Sequence, residues 1–100
     1  MRQDYEAAVR ALRDRVDELR SEGRQAEAVA RTVHAERRAL AARFKEATAE
    51  PLRSTLYQHT AHVYGDRLGP TIEFLRARGK SWEEIADAAT RPGSLPSIED

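Results

Sequence analysis

From Tyr5 the apolar positions fall at Tyr5, Val9, Leu12, Val16 and Leu19. Alternating spacings of four and three place them on one stripe, the seam of a helix that packs against another helix. The pattern predicts a helix over roughly residues 3 to 22, with Gly23 as the left-handed residue that ends it. Arg10 with Asp14 and Arg13 with Asp17 supply i,i+4 pairs along its side. A second seam starts at once with Ala26, Val29, Ala30, Val33, Leu40 and Phe44. So short a connection folds the two helices back antiparallel.

The punctuation changes after residue 46. Pro51 disfavours helix at the residue before it and is tolerated in a first turn, so Thr48-Ala49-Glu50-Pro51 separates the second helix from a third. Leu52, Leu56, His59 and Val63 share one face of that helix, and Gly65 closes it. Asp66 to Pro70 reads as a loop, Pro70 or Thr71 opens a short fourth helix with Ile72, Phe74 and Leu75, and Gly79 ends it. Ser81-Trp82-Glu83-Glu84 has the form of a capping box at the start of a fifth helix. Arg91-Pro92-Gly93 stops the fifth. The expected fold is all-α: an N-terminal antiparallel helical hairpin over 1–46 followed by three shorter helices over 47–93, one domain in all, with 94–100 as a flexible tail. No strand pattern or repeat interrupts it.

Composition supports that fold and narrows the chemistry. One hundred residues supply one modest core, and with 40% apolar but only 6% aromatic residues it must be built from Leu, Val, Ile and Ala. Lys plus Arg and Asp plus Glu are 17 each, and the balance is even in both halves of the chain. That neutrality weighs against a broad nucleic-acid-binding surface, though not against a local patch. Cysteine is absent, which removes disulfides, thiolate metal sites and a Cys nucleophile. The first residues lack a secretory apolar stretch and no segment has the length of a membrane span, so the expected address is the cytoplasm, away from membranes. No cofactor motif is present, and none is expected to be needed.

Arg37 interrupts the second seam between Val33 and Leu40, where a charge is costly to bury unless paired. It either snorkels or meets a carboxylate such as Glu36 or Asp66, or it contacts an anionic ligand, for which guanidinium is suited. His59 and His62, with Asp66 four further on, are the only metal-like set, but His62 lies about 100° from His59 around the helix, so no metal is expected. His34, beside the second seam, reads as an interfacial histidine. Trp82 is either a core anchor for the turn between helices four and five or, with Lys80 and Arg78, a stacking and phosphate-binding corner. Residues 75–89 also look like the first part of a helix-turn-helix, yet Pro92, Gly93 and Pro96 occupy the place of a further helix for the major groove.

Arg37-Arg38-Ala39-Leu40, Phe44-Lys45, Thr48, Pro51-Leu52-Arg53, Tyr57, the series Tyr64-Gly65-Asp66-Arg67-Leu68-Gly69-Pro70-Thr71, Gly79-Lys80-Ser81-Trp82 and Ala89-Thr90-Arg91-Pro92-Gly93 together resemble one bacterial module. It is the extreme C-terminal domain of polymorphic toxins of the RHS and filamentous-haemagglutinin kinds. The resemblance covers roughly residues 33 to 93. The chain departs from it in beginning with its own hairpin, as a stand-alone relative would, and in its acidic tail. The resemblance implies an effector that harms a competing cell, most often by attacking nucleic acid, and it points first to Arg37, Arg53, Tyr64, Asp66, Lys80 and Arg91. The rival expectation is a non-enzymatic interaction protein, in which an exposed seam on helices one and two pairs with a second copy or a protein partner.

Overall fold

The structure, a computed structural model, describes residues 2–92 and five helices among them: α1 (Arg2–Ser21), α2 (Ala26–Glu46), α3 (Leu52–Tyr64), α4 (Ile72–Ala77) and α5 (Trp82–Ala89). The expected tail, 94–100, lies outside the described residues. The first two helices are each about 30 Å long at 1.5 Å per residue. Their turn is a Schellman motif. Gly23 takes φ +83°, its N–H bonds to the Arg20 carbonyl, and the Arg24 N–H returns to Leu19. The same construction ends α4 at Gly79, where the Gly79 and Lys80 N–H groups bond back to Arg76 and Leu75.

The later helices start where their side chains can cap them. Thr71 Oγ1 accepts from the Phe74 N–H at 3.1 Å at the head of α4. Ser81 Oγ accepts from the Glu84 N–H at 3.1 Å while Glu84 Oε1 accepts from the Ser81 N–H at 2.8 Å, so the capping box forms in full.

α2 is the central element, packed by α1 on one side, α5 on another and α3 near its C-terminal half. The main core lies at the closed end of the hairpin, where Val16 and Leu19 of α1 meet Val29, Ala30 and Val33 of α2, Ile85, Ala86 and Ala89 of α5, and Leu75 of α4. Ile72, Phe74 and Trp82 pack around its edge. Val9 and Leu12 are buried as well. The expected strip on α1 is thus covered within the chain. Arg13 of α1 reaches Asp87 of α5 at 3.3 Å in place of Asp17.

α3 departs from its expected packing. Leu52 is 56% exposed and His59 is exposed, whereas Leu56, Tyr57, Thr60 and Tyr64 are half-buried, and α3 has no fully buried residue. Leu56 and Val63 of the expected face are half-buried beside Tyr57, Thr60 and Tyr64, whereas Ser54 and Thr55 are exposed. Lys45 Nζ donates to Thr60 Oγ1 at 3.0 Å, and Tyr57 Oη donates to Glu46 Oε1 at 2.8 Å. Two polar anchors on α2 therefore help to set the facing of a helix whose own apolar pattern is weak.

Candidate cationic cleft

One face of α2 carries His34, Arg38, Ala41 and Lys45 at intervals of four, three and four, parallel to the buried seam and next to Arg37. α3 and the loop 65–71 lie over this stripe. Between them runs a half-enclosed cleft of about 230 Å³, floored by Leu75, Ile85 and Ala89 and walled by Phe44, Tyr64 and Leu68. Tyr5 closes one end, its ring 4.9 Å from that of Phe44. Tyr64 stands edge-on to Phe74 at 5.7 Å.

Arg37 is 6% exposed. Neither expected carboxylate meets it. Its Nη1 donates to the carbonyls of Ala89 at 3.0 Å, Arg91 at 3.3 Å and Ala88 at 3.4 Å, and its Nε donates to Tyr5 Oη at 3.3 Å. These carbonyls lie at and just beyond the C-terminal end of α5, where the helix dipole favours a cation; that of Ala88 also accepts from the Arg91 N–H at 3.3 Å. Arg37 is buried because it finishes α5. Asp66 pairs instead with Arg38, whose Nη2 donates to Oδ1 at 2.9 Å while Nη1 donates to the Gly69 carbonyl at 3.1 Å. Asp66 also accepts from the Leu68 N–H at 2.9 Å. Burial opposes its charge, but the Leu68 N–H and the Arg38 guanidinium outweigh that and hold its pKa below the ordinary value.

Lys45 donates to Thr60 and to the Arg67 carbonyl at 2.9 Å, and an ammonium has a third N–H beyond these two bonds. Burial lowers its pKa; nearby Asp66 and Arg38 act in opposite directions. His34, 6% exposed, lines the same cleft, and its Nε2 has no hydrogen-bond partner. Burial first, then the charge of Arg38, lower its pKa, with the nearby Pro70 backbone acting in the opposite direction. The cleft thus brings Arg37, Arg38 and Lys45 into its lining, with Asp66 at the rim paired to Arg38. Neutral acceptors satisfy the hydrogen bonds of Arg37 and Lys45 without cancelling their charge, whereas Arg38 is paired with Asp66.

Of the six residues singled out from the sequence, Arg37 and Tyr64 line the cleft and Asp66 braces its rim through Arg38. Arg91 contributes its carbonyl to Arg37, while its exposed guanidinium pairs with Asp87 at 2.8 Å. Arg53 lies at the α2–α3 turn beside Glu46 and Glu50. Lys80 is exposed in the α4–α5 turn, its carbonyl accepting from Arg76. His34 was read as an interfacial histidine, and Arg38 and Lys45 entered only through the resemblance, so none of the three was among the candidate site residues. Their signal was the polar stripe beside the α2 seam.

Outside the cleft, His59 and His62 are both exposed on α3, and no group of three metal-ligating side chains occurs among the described residues. Trp82 packs on the core edge under two guanidiniums, Arg76 at 4.2 Å and Arg31 at 5.0 Å from the ring centre. Its ring is therefore not an open stacking platform. α5 buries Ile85, Ala86 and Ala89 and carries Glu83, Glu84 and Asp87 on its other positions, an acidic set that repels a phosphate backbone. None of the described helices is long and apolar enough to cross a membrane. Searches of family models, curated proteins and solved structures found no match to this chain.

Proposed function

We propose that this chain is an effector-type helical module, related to the toxin C-terminal domains it resembles, that acts on nucleic acid through the cleft over α2. The observation that carries the proposal is the convergence of Arg37, Arg38 and Lys45 with Tyr64 and His34 on one concave, largely apolar site, whose rim carboxylate, Asp66, pairs with Arg38. Positive charge in a partly dry cleft attracts phosphate, and aromatic walls accept bases. The rival reading, a non-enzymatic protein pairing with a second copy or a protein partner through helices one and two, is less favoured because Val9, Leu12 and Val16 are buried within the chain. Exposed Leu52 on α3 and the open apolar groove of Ala8, Leu40, Phe44 and Ala47 between α1 and α2 favour it.

Growth of a bacterial host during tightly controlled induction tests the proposal. The wild-type chain is expected to arrest growth with loss of RNA or DNA integrity, and Lys45→Gln and Tyr64→Leu, verified as folded by circular dichroism, are expected to relieve it. Arg37 is unsuited to this test because its loss also unpins α5. Unimpaired growth at high expression of the folded wild type would overturn the effector reading and make sedimentation of the purified chain the next measurement.

A further inference from the structure

The hairpin has a second face. The cleft stripe of His34, Arg38, Ala41 and Lys45 takes one side of α2, and Thr32, Glu36, Ala39, Leu40, Arg43 and Ala47 take a band about 100° wide on the opposite side, by the 3.6-residue period. Two adjoining depressions follow this band between α1 and α2, and both are lined by Ala8, Leu40 and Arg43. One continues to Phe44 and Ala47, the other to Leu12, Ala39 and Glu36. Among the described residues, α1, α2 and Ala47 supply the whole lining, so no other helix of the chain covers this groove. Ala39 and Ala47 are exposed, and Ala8 and Leu40 are half-buried. Side chains this small let the backbone of another helix come close, and its approach would remove apolar surface from water.

The band is complementary to itself. A two-fold axis perpendicular to a helix sets its two copies antiparallel, and an axis passing midway between Ala39 and Leu40 places Ala39 opposite Leu40, Glu36 opposite Arg43 and Thr32 opposite Ala47. Each position of the band thereby meets another position of the band. An acid faces a base twice, about 5 Å to either side of the axis at 1.5 Å per residue. Arg43 is exposed and makes no ion pair among the described residues. Glu36 Oε2 accepts from Arg15 Nε at 3.2 Å, which leaves Oε1 as a further acceptor. A partner of different sequence would require no such match within one helix, whereas a second copy of this chain does.

We propose that this band is the interface of a two-fold homodimer, in which the α2 helices of two copies lie antiparallel across the α1–α2 groove. Ala39 and Leu40 sit at its centre and Glu36–Arg43 pairs fix its register on both sides. Two hairpins joined in this way form a four-helix arrangement. The interface differs from the α1 strip expected from spacing, which is buried within the chain. It leaves the cleft open on the far side of α2, so it is compatible with the nucleic-acid reading and does not rest on it.

Sedimentation equilibrium of the full chain from micromolar to millimolar concentration tests this. The wild type is expected to pass from monomer to dimer mass over that range. Arg43→Glu and Glu36→Lys each set like charges face to face twice, and each is expected to weaken the dimer at least tenfold. An equimolar mixture of the two is expected to restore it, because both contacts of the mixed pair then join opposite charges. Arg43→Glu breaks no ion pair of the monomer, so its result decides the matter if Glu36→Lys, which loses Arg15, proves unstable by circular dichroism. A wild type that stays monomeric at millimolar concentration would overturn the proposal and leave the groove to a partner of another kind. A dimer indifferent to Arg43→Glu would put the interface on another face and overturn it too, as would two folded, weakened variants that fail to combine.

Discussion

Arg37 is a seam residue by its spacing and a helix cap by its contacts. Its side chain crosses from α2 to the end of α5 and meets carbonyls of Ala88, Ala89 and Arg91, while its stem fills the place an apolar residue would take. Charged hydrogen bonds of this kind contribute about 1.5–3 kcal/mol each in favourable cases, and they are not additive. Arg37→Leu preserves the volume in the seam but strands those acceptors, so we expect chemical denaturation to show a loss of about 2–4 kcal/mol. Arg37→Lys is expected to recover only part of it, because an ammonium lacks the planar fork that spans several carbonyls. A Leu variant as stable as the wild type would mean that the cap contributes nothing net.

At the scale of elements, α3 differs from the rest. It buries no residue fully, it leaves Leu52 in solvent, and its attachment runs through Lys45–Thr60, Tyr57–Glu46 and the half-buried ring of Tyr64. Local opening costs little where few apolar contacts are lost. Amide hydrogen exchange is expected to find α3 the least protected of the helices longer than ten residues, with α2, packed on three sides, the most protected. Equal protection of α2 and α3 would contradict this. A loosely held α3 also provides the route into the cleft, since Thr60 and Tyr64 form its outer wall.

The whole molecule responds to pH through groups that its packing perturbs. His34 has a folded pKa below its ordinary value because it is buried beside Arg38. The unfolded chain takes up this proton near pH 6.5, before the folded one does, so stability falls as the pH drops below about 6.5 and the loss is complete once the folded histidine is protonated. Above that window both states are neutral at this site and it contributes no pH dependence. Asp66, Glu50 and Glu84 add acid sensitivity at lower pH, through folded pKa values held below those of ordinary carboxylates. Unfolding midpoints of the wild type and His34→Gln, compared from about pH 8 to 5, are expected to diverge in favour of the variant as the pH falls. Parallel curves would remove His34 from the account.

How much of this was legible in the sequence follows from the range of each interaction. The hairpin, its glycine turn and the capping box at Ser81 depend on residues within one or two turns of one another, and their spacing is enough to specify them. The seam residues Val16, Leu19, Val29 and Val33 were legible for the same reason, as any fold of this hairpin buries that stripe. Arg37 could be recognised as an exception, but not its partners, which lie more than fifty residues away on a helix end that only the packed chain brings near. The facing of α3 was likewise set in part by Lys45 and Glu46 reaching across from α2, beside Leu56 and Val63 of a weak apolar pattern. The sequence by itself determined the helices, their ends and the buried stripe, because local hydrogen bonding and periodicity are short-range. Only the tertiary structure decided that His34, Arg38 and Lys45 share a cleft with Tyr64, because a site made by helices meeting exists nowhere in the chain until they have packed.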